Sequence, residues 1–238
     1  MVQRPRGGAS GRFGAGGLRM NSGSGPLRLG AKGPEAKAIC VFVHGRGQSP
    51  EEMQAHVLAR LAAPSVAFIL PRAPSGVWVE ARAIDPLTPV ARAQLSAALD
   101  HLAAAVAAAR GELPRLPLLL AGFSQGACLV IEYLCAGLPP PEALAAFTGC
   151  RIGIAADARA EQVPGRIPVY LTGGDADPWI PVAAFAEAAA TLGRRGANLR
   201  ADLFPGRSHE VSDPEIAMLE TMLADLARGR APRMEAAR

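Results

Sequence analysis

Several kinds of residue and segment are scarce in this sequence, and the lack of long apolar runs excludes a class of protein. Aromatic residues make up 5% of the 238 residues, and only two of the 25 Lys and Arg residues are lysines. No apolar run approaches the roughly 18 residues that a membrane span needs, and the N-terminus has no apolar segment typical of a signal peptide. We therefore expect a cytoplasmic protein without a membrane span.

Cysteine is also scarce. The four cysteines, Cys40, Cys128, Cys135 and Cys150, have no CxxC spacing and lie in apolar surroundings. This pattern is typical of buried free thiols in a reducing compartment.

Acidic residues are almost absent from the first 36 residues. That segment holds 10 of the 26 glycines, and its six Lys or Arg residues against one acid give it a net charge of +5. Since the net charge of the whole chain is +4, residues 37–238 have a net charge of −1. We predict a disordered Arg/Gly-rich tail over 1–36, a folded domain over 37–227 and a flexible basic tail over 228–238. The mildly acidic domain is not expected to bind nucleic acid, whereas weak RNA binding by the tail is left open.

Between residues 37 and 227, short apolar runs alternate with stretches of helical period. We predict strands at 37–43, 65–70, 115–121, 144–147, 167–171 and 198–204. We predict helices at 50–63, 89–110, 125–136, 182–192 and 214–227. This alternation favours an α/β fold with a mostly parallel sheet and helices on both faces, and such sheets bind ligands at the carboxyl ends of their strands.

A GxSxG motif, with Ser124 between Gly122 and Gly126, joins a predicted strand to a predicted helix. This placement is typical of a nucleophile elbow, a turn so sharp that the residues two positions away must be small. The alternative is an ordinary serine that caps the helix.

A nucleophilic serine needs a base and a carboxylate that orients the base. His56 and His101 fall in predicted helices, and His44 precedes the serine. His209 remains, because it follows the last predicted strand, as the chain order serine, acid, histidine requires.

The acid should follow a strand between these two residues. Asp175 and Asp177, in the stretch GGDADPWIP, are both candidates, and Asp157 is a third. Either of the first two could instead cap a helix or form an Asx turn.

The oxyanion of an acyl-transfer intermediate needs two N–H donors. The residue after the nucleophile, Gln125, supplies one. The loop HGRG supplies the other through the N–H of Arg46, and we expect His44 to shape that loop without transferring a proton.

These motifs together resemble the phospholipase/carboxylesterase group of α/β-hydrolases, which includes the acyl-protein thioesterases. The matching segments are FVHGRGQ, GFSQG, GGDADPWIP and GRSHEV, in the order of that group. The resemblance implies an α/β-hydrolase fold and a serine carboxylesterase or thioesterase that needs no cofactor or metal. It also favours Asp177 as the acid, because the group has a D-x-x-[VI]-P segment that Ile180 and Pro181 complete here.

The same resemblance implies a substrate site. The stretch that ends in Trp78 resembles the loop lining the acyl pocket, and Phe123 and Trp179 adjoin the candidate serine and acid. We predict that these three residues bind a small-molecule ester or thioester. One departure is Arg46, where the group often has an aromatic or small apolar residue; its side chain either overhangs the pocket or points to solvent.

Other interpretations stay open. The same fold could open lactones, transfer acyl groups to an acceptor other than water, or bind a ligand without catalysis. Homodimer formation is also left open.

Overall fold

Seven strands form one sheet in the computed structural model, which describes residues 25–235. The strands are β1 (Leu27–Gly30), β2 (Ala38–Val43), β3 (Val66–Leu70), β4 (Leu118–Phe123), β5 (Ala143–Phe147), β6 (Pro168–Gly174) and β7 (Asn198–Phe204). Their order across the sheet is β1-β3-β2-β4-β5-β6-β7. Only β1 is antiparallel to its neighbour, so the prediction of a mostly parallel sheet is confirmed.

Five α-helices within the described part of the chain cover the two faces of the sheet. They are α1 (Pro50–His56), α2 (Pro89–Glu112), α3 (Gln125–Cys135), α4 (Val182–Arg194) and α5 (Asp213–Ala227). Side-chain caps fix several of their starts, since the hydroxyl of Ser49 accepts from the Glu52 N–H and that of Thr88 from the Ala91 N–H. Helices α2, α3 and α4 pack on one face, and α1 and α5 pack on the other.

Strand β2 illustrates the resulting core. Ile39, Val41 and Val43 pack toward α2, α3 and α4, whereas Cys40 and Phe42 pack toward α1 and α5. All six residues of the strand are buried. A strand covered on both faces has no solvent side, which explains why its sequence is a continuous apolar run instead of an alternating one.

The N-terminal boundary of the domain differs from the prediction. Strand β1 lies within the segment 1–36 that was predicted as a disordered tail, and it pairs with β3 at the edge of the sheet. Leu27 and Leu29 pack against the core beneath α1 and α5, and Ala31 and Ala36 are buried. The four residues LRLG alternate between apolar and other side chains, but this pattern is short and the surrounding segment is rich in glycine and arginine, so it was not predicted as a strand. The remainder of that predicted tail, residues 1–24, lies outside the described residues.

At the other end, residues 228–235 contact the domain. The N–H of Arg233 donates to Asp225 of α5, and the side chain of Arg200 on β7 donates to the carbonyl of Met234. The last residues of the predicted tail, 236–238, lie outside the described residues. No helix between residues 25 and 235 combines the length and apolarity needed to cross a bilayer.

Candidate active site

Ser124 lies in a sharp turn between β4 and α3. Its φ is 56° and its ψ is −121°, a region that residues with side chains rarely adopt. A Cβ on Gly122 would lie 2.5 Å from the Gly126 carbonyl oxygen, and a Cβ on Gly126 would lie 2.6 Å from the His44 carbonyl oxygen. The turn therefore requires glycine on both sides of the serine, and it places Ser124 at the carboxyl end of β4.

A chain of hydrogen bonds joins Ser124, His209 and Asp177. The imidazole Nε2 lies 2.7 Å from the Ser124 Oγ, and Nδ1 lies 2.7 Å from the Asp177 Oδ2. These residues follow β4, β7 and β6, so the parallel sheet brings three distant segments to one edge. With Nδ1 protonated toward the carboxylate, Nε2 can accept the proton of the hydroxyl.

The Asp177 carboxylate is held by three donors. Its Oδ1 accepts from the N–H groups of Trp179 at 2.8 Å and Ile180 at 3.0 Å, while Oδ2 faces His209. Burial raises the pKa of this carboxyl, since the side chain is 0% exposed, but hydrogen bonds from His209 and the two N–H groups outweigh burial. The pKa is therefore lowered, and the carboxylate stays ionised beside the imidazole.

The other two candidate acids have different partners. Asp175 accepts from the N–H of Gly206 at 2.6 Å, which ties the loop after β6 to the loop after β7. Asp157 accepts from the N–H groups of Leu87 and Ile154. Asp177 is thus the one of the three that the structure brings to His209.

Two of the other histidines pack behind the site. His44 is buried; its Nδ1 donates to the Gly45 carbonyl at 2.8 Å and its Nε2 accepts from the Ala73 N–H at 3.0 Å. Burial lowers the pKa of His44, in keeping with this neutral tautomer. The imidazole of His101 packs edge-on against Trp78, with ring centroids 5.7 Å apart.

The loop after β2 runs beside the serine. A Cβ on Gly45 would lie 3.1 Å from the Ser124 Cβ, so the chain passes the hydroxyl at close range. The N–H of Arg46 follows on this loop, and the N–H of Gln125 lies in the first turn of α3, where backbone donors lack helical partners. Neither N–H donates to another group within residues 25–235. Both are thus free to meet an oxyanion.

The Arg46 side chain contacts backbone carbonyls of the loop after β3. Its Nη1 lies 3.0 Å from the Val79 carbonyl oxygen, 2.6 Å from that of Glu80 and 3.3 Å from that of Ala81. The guanidinium therefore holds the loop after β3, and 42% of the side chain remains exposed, so the solvent-facing alternative is met in part. The sequence carried no signal for this contact, because the two segments are more than 30 residues apart.

The Gln125 side chain is hydrogen-bonded to the same loop. Its Oε1 accepts from the Trp78 N–H at 2.9 Å, and its Nε2 donates to the Val79 carbonyl at 2.6 Å. Both candidate oxyanion donors thus belong to residues whose side chains fix residues 78–81.

The three predicted substrate-binding residues differ in exposure. Trp78 is 5% exposed and its Nε1 donates to the His44 carbonyl at 2.9 Å, which leaves little of the ring free for a substrate. The Phe123 ring is buried against the imidazole of His209, with centroids 5.1 Å apart. Trp179 is 61% exposed beside the acid. Trp78 therefore has a structural role, since it packs against the loop after β2.

Sequence reasoning missed Arg207, which stabilises the loop that carries His209, called here the histidine loop (residues 205–212). This buried side chain donates to the backbone carbonyls of Ser208 and Glu210, on either side of His209. Glu215 of α5 lies 3.6 Å from its guanidinium and supplies the opposite charge. No pattern of spacing marks an arginine for such a position.

Within residues 25–235, no three His, Cys, Asp or Glu side chains are arranged to hold a metal ion.

Comparisons with known proteins identify relatives of this chain. The sequence model of the phospholipase/carboxylesterase family matches residues 29–226. A comparison with the curated proteins found no match.

Three solved structures illustrate the similarity. A phospholipase/carboxylesterase from Dyadobacter fermentans is 27% identical, with a TM-score of 0.75 over 85% of this chain and 97% of that one. Esterase PE8 is 27% identical, with a TM-score of 0.69 over 85% of this chain and 98% of that one. Acyl-protein thioesterase 2 from Zea mays is 20% identical, with a TM-score of 0.71 over 85% and 98% of the two chains, and shows the fold alone.

The family match covers most of the chain and includes all four segments that carried the resemblance. The architecture of the sheet agrees with the solved relatives over nearly their whole length. The chain belongs to the phospholipase/carboxylesterase family and has the α/β-hydrolase fold.

Proposed function

We propose that this protein hydrolyses carboxylic esters or thioesters of small-molecule or acyl-chain substrates through an acyl-enzyme on Ser124. The observation that carries the proposal is the pair of 2.7 Å contacts that link Ser124 to His209 and His209 to Asp177. Membership of the family supports the class of reaction.

The nucleophile is the Ser124 hydroxyl. Alone it is a weak nucleophile at neutral pH, so His209 takes its proton through Nε2 as Oγ attacks the acyl carbonyl. The strained turn holds the hydroxyl at the sheet edge, which limits the motion needed for attack. His209 then returns the proton to the departing alcohol or thiol.

Asp177 orients the imidazole. Because its pKa is lowered, the carboxylate accepts the Nδ1–H of His209 and stabilises the imidazolium that forms during attack. The N–H groups of Trp179 and Ile180 fix the carboxylate in turn.

The tetrahedral intermediate places a negative charge on the former carbonyl oxygen. The N–H groups of Gln125 and Arg46 stabilise that charge, and loss of one such donor typically costs about a hundredfold or more in rate. Water then attacks the acyl-enzyme with His209 as base, and the acid product leaves. Every step uses side chains and N–H groups of this chain.

A fluorophosphonate probe tests the nucleophile. We expect it to label the wild type and the control Ser96→Ala, which changes a serine of α2 outside the site, but not Ser124→Ala. Labelling of Ser124→Ala would refute the assignment. So would a wild type that cleaves neither p-nitrophenyl esters, from acetate to palmitate, nor an acyl thioester.

A further inference from the structure

A cavity of about 270 Å³ lies beside the imidazole of His209. Its apolar walls are buried side chains of α1, β4 and the histidine loop, and its polar groups lie nearer the surface. The apolar residues are Met53, Val57, Phe123 and Val211; the polar residues are Gln48, His56, Arg60, His209 and Glu210.

The position of this cavity fits the leaving group of a substrate, an inference that rests on the proposed function. The proton that His209 takes from Ser124 goes to the leaving oxygen or sulfur, so that atom must come within hydrogen-bond reach of Nε2. The rest of the leaving group then extends past the imidazole. The Phe123 ring, 5.1 Å from the imidazole centroid, forms a wall of the space next to that ring.

The volume of the cavity limits the leaving group to a compact one. Sites for drug-sized ligands usually measure roughly 300 to 1,000 Å³, and this cavity is slightly smaller. A short alcohol or thiol fits within such a space.

The charged residues around the cavity indicate which charge a leaving group bound there would carry. Arg60 is already paired, because its guanidinium donates to Asp213 at 2.5 Å and to the Val211 carbonyl at 2.7 Å. Glu210 is exposed, and its side chain makes no hydrogen bond or ion pair with another residue of 25–235. Its backbone alone is engaged: the N–H donates to the Ser208 carbonyl, and the carbonyl accepts from Arg207. The uncompensated charge at the cavity is therefore negative.

An aromatic ring, apolar walls and a free carboxylate are the groups that recognise alkylammonium ions. We propose that this cavity binds compact cationic leaving groups, such as amino alcohols and choline-like alcohols. Phe123 faces the ammonium methyl groups, and Glu210 supplies the opposite charge.

A pair of isosteric esters tests the proposal. Butyrylcholine and 3,3-dimethylbutyl butyrate share the acyl group and differ in leaving group only by nitrogen in place of carbon, and hence by one positive charge. We expect the wild type to cleave the choline ester with a kcat/KM about three- to tenfold higher. In Glu210→Gln that ratio should fall toward one, because the variant lacks the carboxylate that attracts the cation while Phe123 remains.

The matched control is Glu52→Gln. This residue lies exposed on α1, the helix that borders the cavity, but it does not line the cavity. Glu52→Gln also removes one negative charge, but outside the cavity, so the ratio of kcat/KM for the two esters should stay at the wild-type value. Titration with the fluorophosphonate probe gives the concentration of intact sites in each variant.

Each outcome decides between the two proposals. Equal rates on the two esters in the wild type, or an equal fall of the ratio in both variants, would overturn the leaving-group inference alone. A wild type that cleaves the neutral ester faster would do the same. A protein that cleaves neither ester and is not labelled by the probe would overturn the proposed function, and this inference with it.

Discussion

The guanidinium of Arg46 lies 2.6 Å from the carbonyl oxygen of Glu80. The residue whose N–H is proposed to face the oxyanion thus also anchors the loop after β3. Because Gln125, the proposed second donor, grips the adjacent Val79 carbonyl, the positions of both donors depend on the same short segment.

Replacing Arg46 with leucine should loosen this segment without removing the backbone donor. A hydrogen bond to a charged group contributes about 1.5–3 kcal/mol, so we expect kcat/KM to fall about tenfold or more, chiefly through kcat. Steady-state kinetics on a p-nitrophenyl ester measures the effect. The control is Arg82→Leu, which removes an exposed guanidinium that pairs with Asp85 within the same loop. An equal loss in both variants would contradict this role of Arg46.

Asp177→Asn should reduce kcat by about 10⁴-fold, because the amide favours the wrong imidazole tautomer. Asp175→Asn should retain most of the activity, since its amide oxygen can still accept from the Gly206 N–H. Kinetics of the two purified variants decides between them. The assignment of the acid fails if Asp175→Asn is the more damaged variant.

Gly126→Ala should destabilise the fold by about 2 kcal/mol or more, because its Cβ would overlap the backbone of Val43 and His44. Gly111→Ala is the matched control. Gly111 lies in α2, and nothing comes within 4 Å of a Cβ built there, so alanine should stabilise by about 0.5–1 kcal/mol. Urea unfolding followed by circular dichroism measures both changes. Equal stabilities of the two variants would show that the turn tolerates a side chain.

The lowered pKa of Asp177 makes its contribution to stability depend on pH. A carboxyl whose pKa is lower in the folded state stabilises the fold above its ordinary value of 3.8, and that stabilisation is lost as pH falls through the folded-state pKa. The difference in unfolding free energy between the wild type and Asp177→Asn should therefore shrink as pH falls from about 5 to below 3.8, toward the lowered folded-state pKa. Urea titrations at several pH values measure it. Parallel pH profiles of the two proteins would contradict the expectation.

The sequence was sufficient to place the strands and helices between residues 37 and 227, because buried strands and amphipathic helices leave distinct apolar patterns. The exception is the end of α1, which lies at His56 and not at the predicted residue 63. The chemistry at strand ends was predictable for a related reason. Parallel strands bring their carboxyl ends to one edge, so Ser124, His209 and an acid after β6 had to lie near one another.

Features that depend on tertiary partners were not predictable. The direction of the Arg46 side chain depends on carbonyl groups more than 30 residues away, and the burial of Trp78 depends on His44 and Gln125. Arg207 lies in a polar loop that gives no sign of a buried cation. Strand β1 was missed because its pairing with β3 supplies order that the local composition does not.

Strand β1 also protects the sheet. It covers one side of β3, whose backbone N–H and C=O groups would otherwise form an open edge of five buried, apolar residues. A shortened chain that starts at residue 37 would keep all the residues proposed for catalysis yet expose that edge to strands of other molecules. Self-association of such a fragment would then arise at the side of the sheet remote from β7, without any change in the hydrogen bonds around Ser124.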